Sequence, residues 1–531
     1  MINCKINLQS CFGLPTFYDS KYFWNDGSYL SVLNNPYISS TLFHSVERWI
    51  CIIRQSPHLE PVNKPFNLST LKNSELKKIY AEFSTLDSEG LLIELVTGNN
   101  GNALRIIASN EGSIPIYFCQ NKNAIFLNWN FREITTTKKS LIIDYEYLVK
   151  STFEPIYTNR TAFQGISMLT AGSSCTFSAE SCEYKYPDLE TPLPQCIEKI
   201  DSDNAIDLFH TLLKNKMEFQ IGEASNVAVE LSGGLDSSTV AITCALSLQS
   251  KKTNTYGILI SDPTLEKSQK TRRQKIISHI NGDDYAVKIK DHLPLISSPA
   301  KDRYYLNSEA YGAAFESIWS QAAADGQYAI MNGCGGDELF PQFLEEDFSG
   351  DRLRSIDDTS WELYNQLLND RLTPQTQDIL GSHLLPCSPK KIVDTGMLLA
   401  MSRRAPLLLS YNLVPLYPFR DNRIIKFCNS LPLHLRLNKT LLTDLLCKKT
   451  QSKAFCNYPK ETFMHADKMA LLKQKELILS TFNKMHIVEI GLVERNLLKR
   501  DLEQLTTRTP RYIMDYLLNI LAIERFLRAY L

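Results

Sequence analysis

The run Ser232-Gly233-Gly234-Leu235-Asp236-Ser237-Ser238 constrains the fold of this chain more than any other segment. It follows a β-prone stretch, Val227 to Leu231, and leads into a helix-compatible stretch from Thr239 to about Leu248. A strand, a glycine turn and a helix start in direct succession point to an α/β fold with parallel strands. Gly233 and Gly234 let the backbone take positive φ and come close to a ligand. Successive N–H groups in such a turn, backed by the positive end of a helix, form a concave site for phosphate. Ser232, Ser237 and Ser238 add hydroxyl donors, and Asp236 adds a carboxylate of the kind Mg2+ prefers. No Lys-Ser/Thr pair closes a G-x-x-x-x-G spacing, and the G-x-G-x-x-G spacing of dinucleotide folds is also absent.

A second glycine loop, Asn332-Gly333-Cys334-Gly335-Gly336-Asp337-Glu338-Leu339-Phe340, follows an expected strand at Tyr328 to Met331. Helical pattern over Asn204 to Phe219, Leu265 to Ile280 and Ala310 to Ala324 alternates with β-prone runs at Thr255 to Ile260 and Tyr285 to Ile289. This alternation predicts a doubly wound parallel sheet over residues 200–531, with ligands at the carboxyl ends of its strands. Both loops fall there, so Asp236 and Asp337 are expected to bracket a Mg2+ on β- and γ-phosphates. After about 350 the pattern is mostly helical and closes with Tyr512 to Tyr530.

Residues 1–190 read differently. Short β-prone runs (Ala103 to Ala108, Ile114 to Cys119, Ala124 to Trp129) alternate with turn clusters, which predicts an antiparallel-rich layered domain. Tyr186 to Pro194 reads as a linker. A length of 531 residues fits two or three domains, and a formal net charge of −1 gives no case for nucleic acid or an acidic membrane. The basic stretch Lys267 to Lys275 reads as a solvated helix face. No apolar run is long enough to span a membrane, and the first residues lack the pattern of a signal peptide. The 13 cysteines are scattered without a C-x-x-C pair, which argues against a disulfide framework and a structural zinc site and fits a cytoplasmic enzyme with reduced thiols.

The first loop resembles the PP-loop of the ATP pyrophosphatases, which cleave ATP between the α- and β-phosphates. The two loops together resemble those of the asparagine synthetase-related family, S-G-G-L-D-S-S and S-G-E-G-S-D-E-L-F. Tyr417-Pro418-Phe419-Arg420-Asp421 followed by Leu431-Pro432 is similar to the family's P-F-L-D and L-P landmarks. Asn457 to Phe463 stands where the family has a segment ending in its active-site lysine. The resemblance implies ATP and Mg2+ as cofactors, with Leu231, Ile258, Asn332 and Gly333 around the adenine nucleotide. It also implies Lys460 as the lysine that stabilises negative charge in the transition states.

Departures from the family shape the expected reaction. Members with glutaminase activity carry a cysteine right after the initiator Met, whereas this chain has Ile2, with Cys4 and Cys11 nearby. Ser109-Asn110-Glu111-Gly112 replaces their Arg-Asp-x-x-Gly pattern. Residues 1–190 therefore resemble a glutaminase (Ntn-type) α+β domain without its chemistry. Cys334 takes the place of the loop's Glu and reads as a small space-filling residue. Lasso-peptide macrolactam synthetases keep such an inactive domain, and their tails are similar to Leu505-Thr506-Thr507-Arg508 and the closing helix. That resemblance implies an ATP-dependent ligase that joins an Asp or Glu side chain of a precursor peptide to the peptide's own amino terminus. A leader-peptide protease is the implied partner. An asparagine synthetase-like enzyme using free ammonia, or a nucleotide-binding scaffold without catalysis, are the alternatives.

Overall fold

Alternate residues of Ile2–Asn7 are apolar and buried, so this strand turns one face to a core and the other toward solvent. In the computed structural model it lies inside a seven-stranded sheet, paired antiparallel with Ala124–Asn128 and Tyr29–Val32. A second seven-stranded sheet contains Ile38–His44, Arg48–Gln55, Gly90–Val96, Ala103–Ala108 and Ser174–Phe177. The inner faces meet through Ile2, Cys4, Ile6, Cys51, Ile53, Leu91, Ile93, Leu104 and Ile106, all in one apolar cluster. Trp24 stacks on Trp49 across the gap at 5.3 Å. Helix Asn73–Ser84 covers the outer face of the second sheet through Phe83 against Ile50 and Leu92. Helices Phe131–Thr135 and Tyr145–Phe153 cover the first sheet, packed with the closing helix Arg511–Tyr530. The amino-terminal half is thus helix, sheet, sheet, helix. The strand expected at Ile114 to Cys119 begins instead at Ile116, one residue past Pro115, which has no N–H to give to a ladder.

The structure describes residues 1–9, 15–45, 47–56, 65–67, 73–97, 101–154, 156–179, 181–188, 197, 200–222, 226–248, 252–295, 306, 309–340, 358–382, 385–389, 395–458 and 460–531. Cys11 and residues 189–194 of the expected linker lie outside these.

Five parallel strands form the second half, in the order Asp284–Lys288, Thr255–Leu259, Val227–Glu230, Ala329–Met331, Val414–Leu416. Val227 and Val229 face one apolar cluster, with helices Ser202–Ile221 and Leu235–Leu248, while Ala228 faces another, with helix Gly312–Ala324. Chain order runs outward from Val227–Glu230 in one direction and then reverses at Ala329–Met331. The crevice at such a switch point is where open α/β sheets bind ligands. The edge strand Val414–Leu416 falls within the stretch expected to be mostly helical. The amino-terminal half closes that edge. Gln55 Nε2 donates to Pro415 O at 2.9 Å, and Asn35 Nδ2 donates to Tyr328 O at 3.0 Å and Asn412 O at 2.7 Å. Among the described residues no helix is long and apolar enough to cross a membrane.

Candidate active site

The helix after the first loop begins at Leu235, four residues before the expected Thr239, because Ser238 N–H already bonds Gly234 O at 3.0 Å. Gly233 has φ +92°, and a Cβ there would stand 3.1 Å from Gln269 O, so the turn needs glycine for conformation and for space. Ser232 and Ser237 hydroxyls lie 2.8 Å apart, and Ser237 Oγ also accepts from Ser232 N–H at 3.1 Å. Both face the cavity described below. Gly233 packs behind the loop, and Ser238 is fully buried in the helix, so neither lines that cavity. For Ser238 this corrects the expectation of a hydroxyl offered to phosphate.

The second loop leaves strand Ala329–Met331 through an Asx turn in which Asn332 Oδ1 accepts from Cys334 N–H at 3.0 Å. Asn332 is 2% exposed, and its Nδ2 has no hydrogen-bond partner, which leaves a donor available at the cavity wall. The two loops touch. A Cβ on Gly333 would lie 2.7 Å from Ser237 N, and one on Gly336 would lie 2.2 Å from Asp236 Oδ1. Both glycines are therefore required by close approach.

Asp236 and Asp337 converge as expected, but the cation between them is Lys439. Its Nζ bonds Asp236 Oδ2 and lies 2.8 Å from Asp337 Oδ1, and Lys460 Nζ lies 3.4 Å from the same Asp337 oxygen. Burial pushes the Asp236 carboxyl up, against the opposing pull of Lys439. For Asp337, burial is outweighed by Lys439 and Lys460, which hold it below its ordinary value. Lys439 is held above its ordinary value because Asp236 and Asp337 outweigh its own burial. The sequence reading missed Lys439. Asn438 and Lys439 sit consecutively at φ +53° and +57°, an uncommon backbone for residues with side chains, just before helix Thr440–Thr450. A basic residue at a helix amino terminus opposes the helix dipole, and that was the available signal.

The pair also fits Mg2+. Asp236 Oδ1 is buried without a hydrogen-bond partner. No three His, Cys, Asp or Glu side chains among the described residues gather as a cage. Two carboxylates completed by phosphate oxygens is the usual Mg2+ arrangement.

These groups open onto one cavity of about 1120 Å3. Leu231, Ser232, Gly234, Asp236, Ser237, Ile258, Asn332, Gly333, Asp337, Lys439 and Lys460 line it. This volume lies at the upper end for small-molecule sites and leaves room for a second substrate beside a nucleotide. On the inner wall Arg404 Nη2 donates to both carboxylate oxygens of Glu230 at 3.0 and 2.8 Å, and Trp319 Nε1 donates to Glu230 at 2.8 Å. Cys334 Sγ lies 3.3 Å from Arg404 Nη1, yet burial pushes the thiol up to about 12, so it stays protonated at neutral pH.

The basic stretch Lys267 to Lys275 is a solvated face only in part, for Lys267, Lys270 and Lys275 are exposed as expected whereas an inward row is not. In helix Pro263–Ile277, residues Gln269, Arg272 and Arg273 are 2%, 1% and 3% exposed. Gln269 Nε2 donates to Ser232 O at 2.8 Å and Ile258 O at 3.0 Å, and Arg272 Nε donates to Gly233 O at 2.8 Å. The inward row holds the first loop in place by its carbonyls, which are acceptors only a donor-rich side chain can satisfy in a dry interior.

Residues 209–381 match the asparagine synthase family model. Both glycine loops fall within that match, whereas Lys439 and Lys460 lie beyond it. Over those residues the chain is similar to an asparagine synthase domain, and the match supports an ATP-dependent amide-forming enzyme. A comparison with curated proteins gave no match. Among solved structures, the chain is similar to an NH3-dependent NAD synthetase from Campylobacter jejuni, with 12% identity and a TM-score of 0.19. That similarity covers 35% of this chain and 100% of the other. It is also similar to the U34-tRNA thiolase NcsA from Methanococcus maripaludis, with 13% identity and a TM-score of 0.24, covering 60% of this chain and 90% of the other. Similarities this low say nothing about substrate.

Proposed function

We propose that this chain adenylates a carboxylate with ATP and passes the acyl group to an amine, releasing AMP and pyrophosphate. The observation that carries this reading is the meeting of two glycine loops at a strand switch point. There they bring Asp236 and Asp337 together around Lys439, with Lys460 beside them. A substrate carboxylate oxygen attacks the α-phosphorus, the α–β bridging bond breaks, and pyrophosphate departs. Lys439 and Lys460 carry the ammonium groups that offset the charge developing there, a role worth roughly 100- to 1000-fold per donor in comparable sites. Asp236 and Asp337 would hold Mg2+, which supplies charge neutralisation for the departing pyrophosphate. The amine nitrogen then attacks the acyl carbon, the bond to AMP oxygen breaks, and the amine's proton passes to solvent or a base.

The substrate we favour is a ribosomal precursor peptide, freed by a leader-peptide protease, whose Asp or Glu side chain closes a macrolactam with its own amino terminus. Holding both ends in one cavity makes the second step effectively unimolecular. Several features support an amine other than one from glutamine. Ile2 is fully buried between the sheets, and burial drives the Cys4 thiol far up. The Asn110–Glu111 segment is held by Arg420, whose guanidinium bonds Glu111 O and reaches Asn110 O at 3.4 Å. The test is incubation with ATP, Mg2+ and leader-free peptides. AMP and pyrophosphate are expected with a product lighter by one water, and D236A should abolish both. Asparagine formation from aspartate and ammonia would replace the peptide reading with the small-molecule one. ATP binding with no AMP under any condition would leave only a nucleotide-binding scaffold.

A further inference from the structure

Arg272 is among the largest fully buried side chains of the molecule, at 1% exposure, and it touches both halves of the site. Its Nε donates to Gly233 O, in the middle of the first glycine loop, at 2.8 Å. Its Nη1 is steered by Ser268 Oγ at 2.6 Å, one helical turn back. On its other side the guanidinium pairs with Glu461, the residue after Lys460, and its Cζ lies 3.6 Å from the centre of the Tyr458 ring. Tyr458 in turn takes a backbone hydrogen bond from Leu235, the first residue of the helix behind that loop. One planar cation thus donates to a carbonyl, pairs with a carboxylate and stacks on an aromatic ring. Lys has neither the fork nor the flat face for all three.

We propose that Arg272 is a positioning residue that sets the placement of Lys460 from the first glycine loop, so that the lysine is in register with the phosphates that loop holds. This deepens the adenylation reading and rests on it. The test uses the full chain carrying R272K, E461Q or K460A, singly and with R272K and K460A combined. E461Q cuts only the arm toward Lys460, and is expected to lower kcat for AMP release about tenfold or more while KM for ATP stays within about twofold. R272K releases both arms, and is expected to raise KM for ATP through the arm to the glycine loop and to lower kcat through the arm toward Lys460. In the K460A background R272K should change kcat by less than about twofold, because the group it positions is gone. Hydrogen exchange of residues 460–463, read without any substrate, should speed up in R272K and E461Q, with helix Leu235–Leu248 unchanged in E461Q. An E461Q with wild-type kcat and exchange would overturn the proposal, as would R272K and K460A losses that multiply. If no substrate gives AMP, the adenylation reading fails, while the exchange comparison still decides whether Arg272 ties the two segments together.

Discussion

Replacing Lys439 by Met keeps the length of the side chain and removes the cation that pairs with both Asp236 and Asp337. The cost follows from exposure. The Lys439 side chain is 8% exposed, Asp236 20% and Asp337 46%. Removing one partner from a buried ion cluster costs about 3–5 kcal/mol, because the remaining charges are stranded. Asp337 is half-exposed and keeps Lys460 at 3.4 Å, so the low end applies, about 3 kcal/mol. At roughly 1.4 kcal/mol per factor of ten, amides of helix Leu235–Leu248 that exchange by opening of this site should exchange more than about a hundredfold faster in K439M. The double variant K439M/D337N removes one stranded carboxylate and should recover part of that protection. Mg2+ titrated into K439M should recover part as well, since Asp236 Oδ1 is already without a partner. Exchange within about threefold of wild type would refute the reasoning, for it would mean that the ammonium does not hold the loops together.

Two further perturbations probe the packing around the site. In G336A the new methyl would stand 2.2 Å from Asp236 Oδ1, a carboxylate tied down by Lys439, so a loss of about 1–3 kcal/mol and weaker ATP binding are expected by calorimetry. G381A, with nothing within 4 Å of its Cβ, serves as the control, and equal melting temperatures for the two would remove the steric argument. Glu89 is buried, and burial with the nearby Glu111 pushes its carboxyl up to about 7 from 4.5. Its folded state binds the proton more tightly, so the stability it contributes is fully present below about pH 4.5 and is lost as pH rises through about 7. The loss is on the order of 3 kcal/mol, and melting curves from pH 5 to 8 should show wild type losing ground to E89Q. A gap between the two that does not move with pH would count against this assignment.

The parts of the molecule legible from sequence share one property, which is that their local chemistry agrees with their tertiary role. Val227, Ala228 and Val229 are apolar on both faces because their strand is buried on both, and strand Thr255–Leu259, buried throughout, ends within one residue of its expected bounds for the same reason. The glycine loops were legible because close backbone approach leaves no alternative to glycine at Gly333 and Gly336. Val414–Leu416 was not, since three apolar residues containing Pro415 carry no period, and their pairing with Ala329–Met331 is set by contacts distant in sequence. The helix over Pro263–Ile277 is the instructive case. Its buried residues Gln269, Arg272, Arg273 and Ile276 follow the i, i+3, i+4, i+7 spacing of a core-facing stripe. Three of the four are polar, so the period was present but hidden by the usual equation of charge with solvent. Gln269 and Arg272 face the carbonyls of Ser232, Gly233 and Ile258, Arg273 pairs with Asp284, and only Ile276 joins an apolar cluster. A loop that turns its N–H groups toward phosphate must turn some carbonyls away from it, and those need buried donors behind them. Polar residues at helical core spacing, one strand along from a glycine loop, are therefore a signature of the layer that holds such a loop in shape. The same logic accounts for Lys439, whose position at a helix amino terminus makes sense only through Asp236 and Asp337 across the crevice.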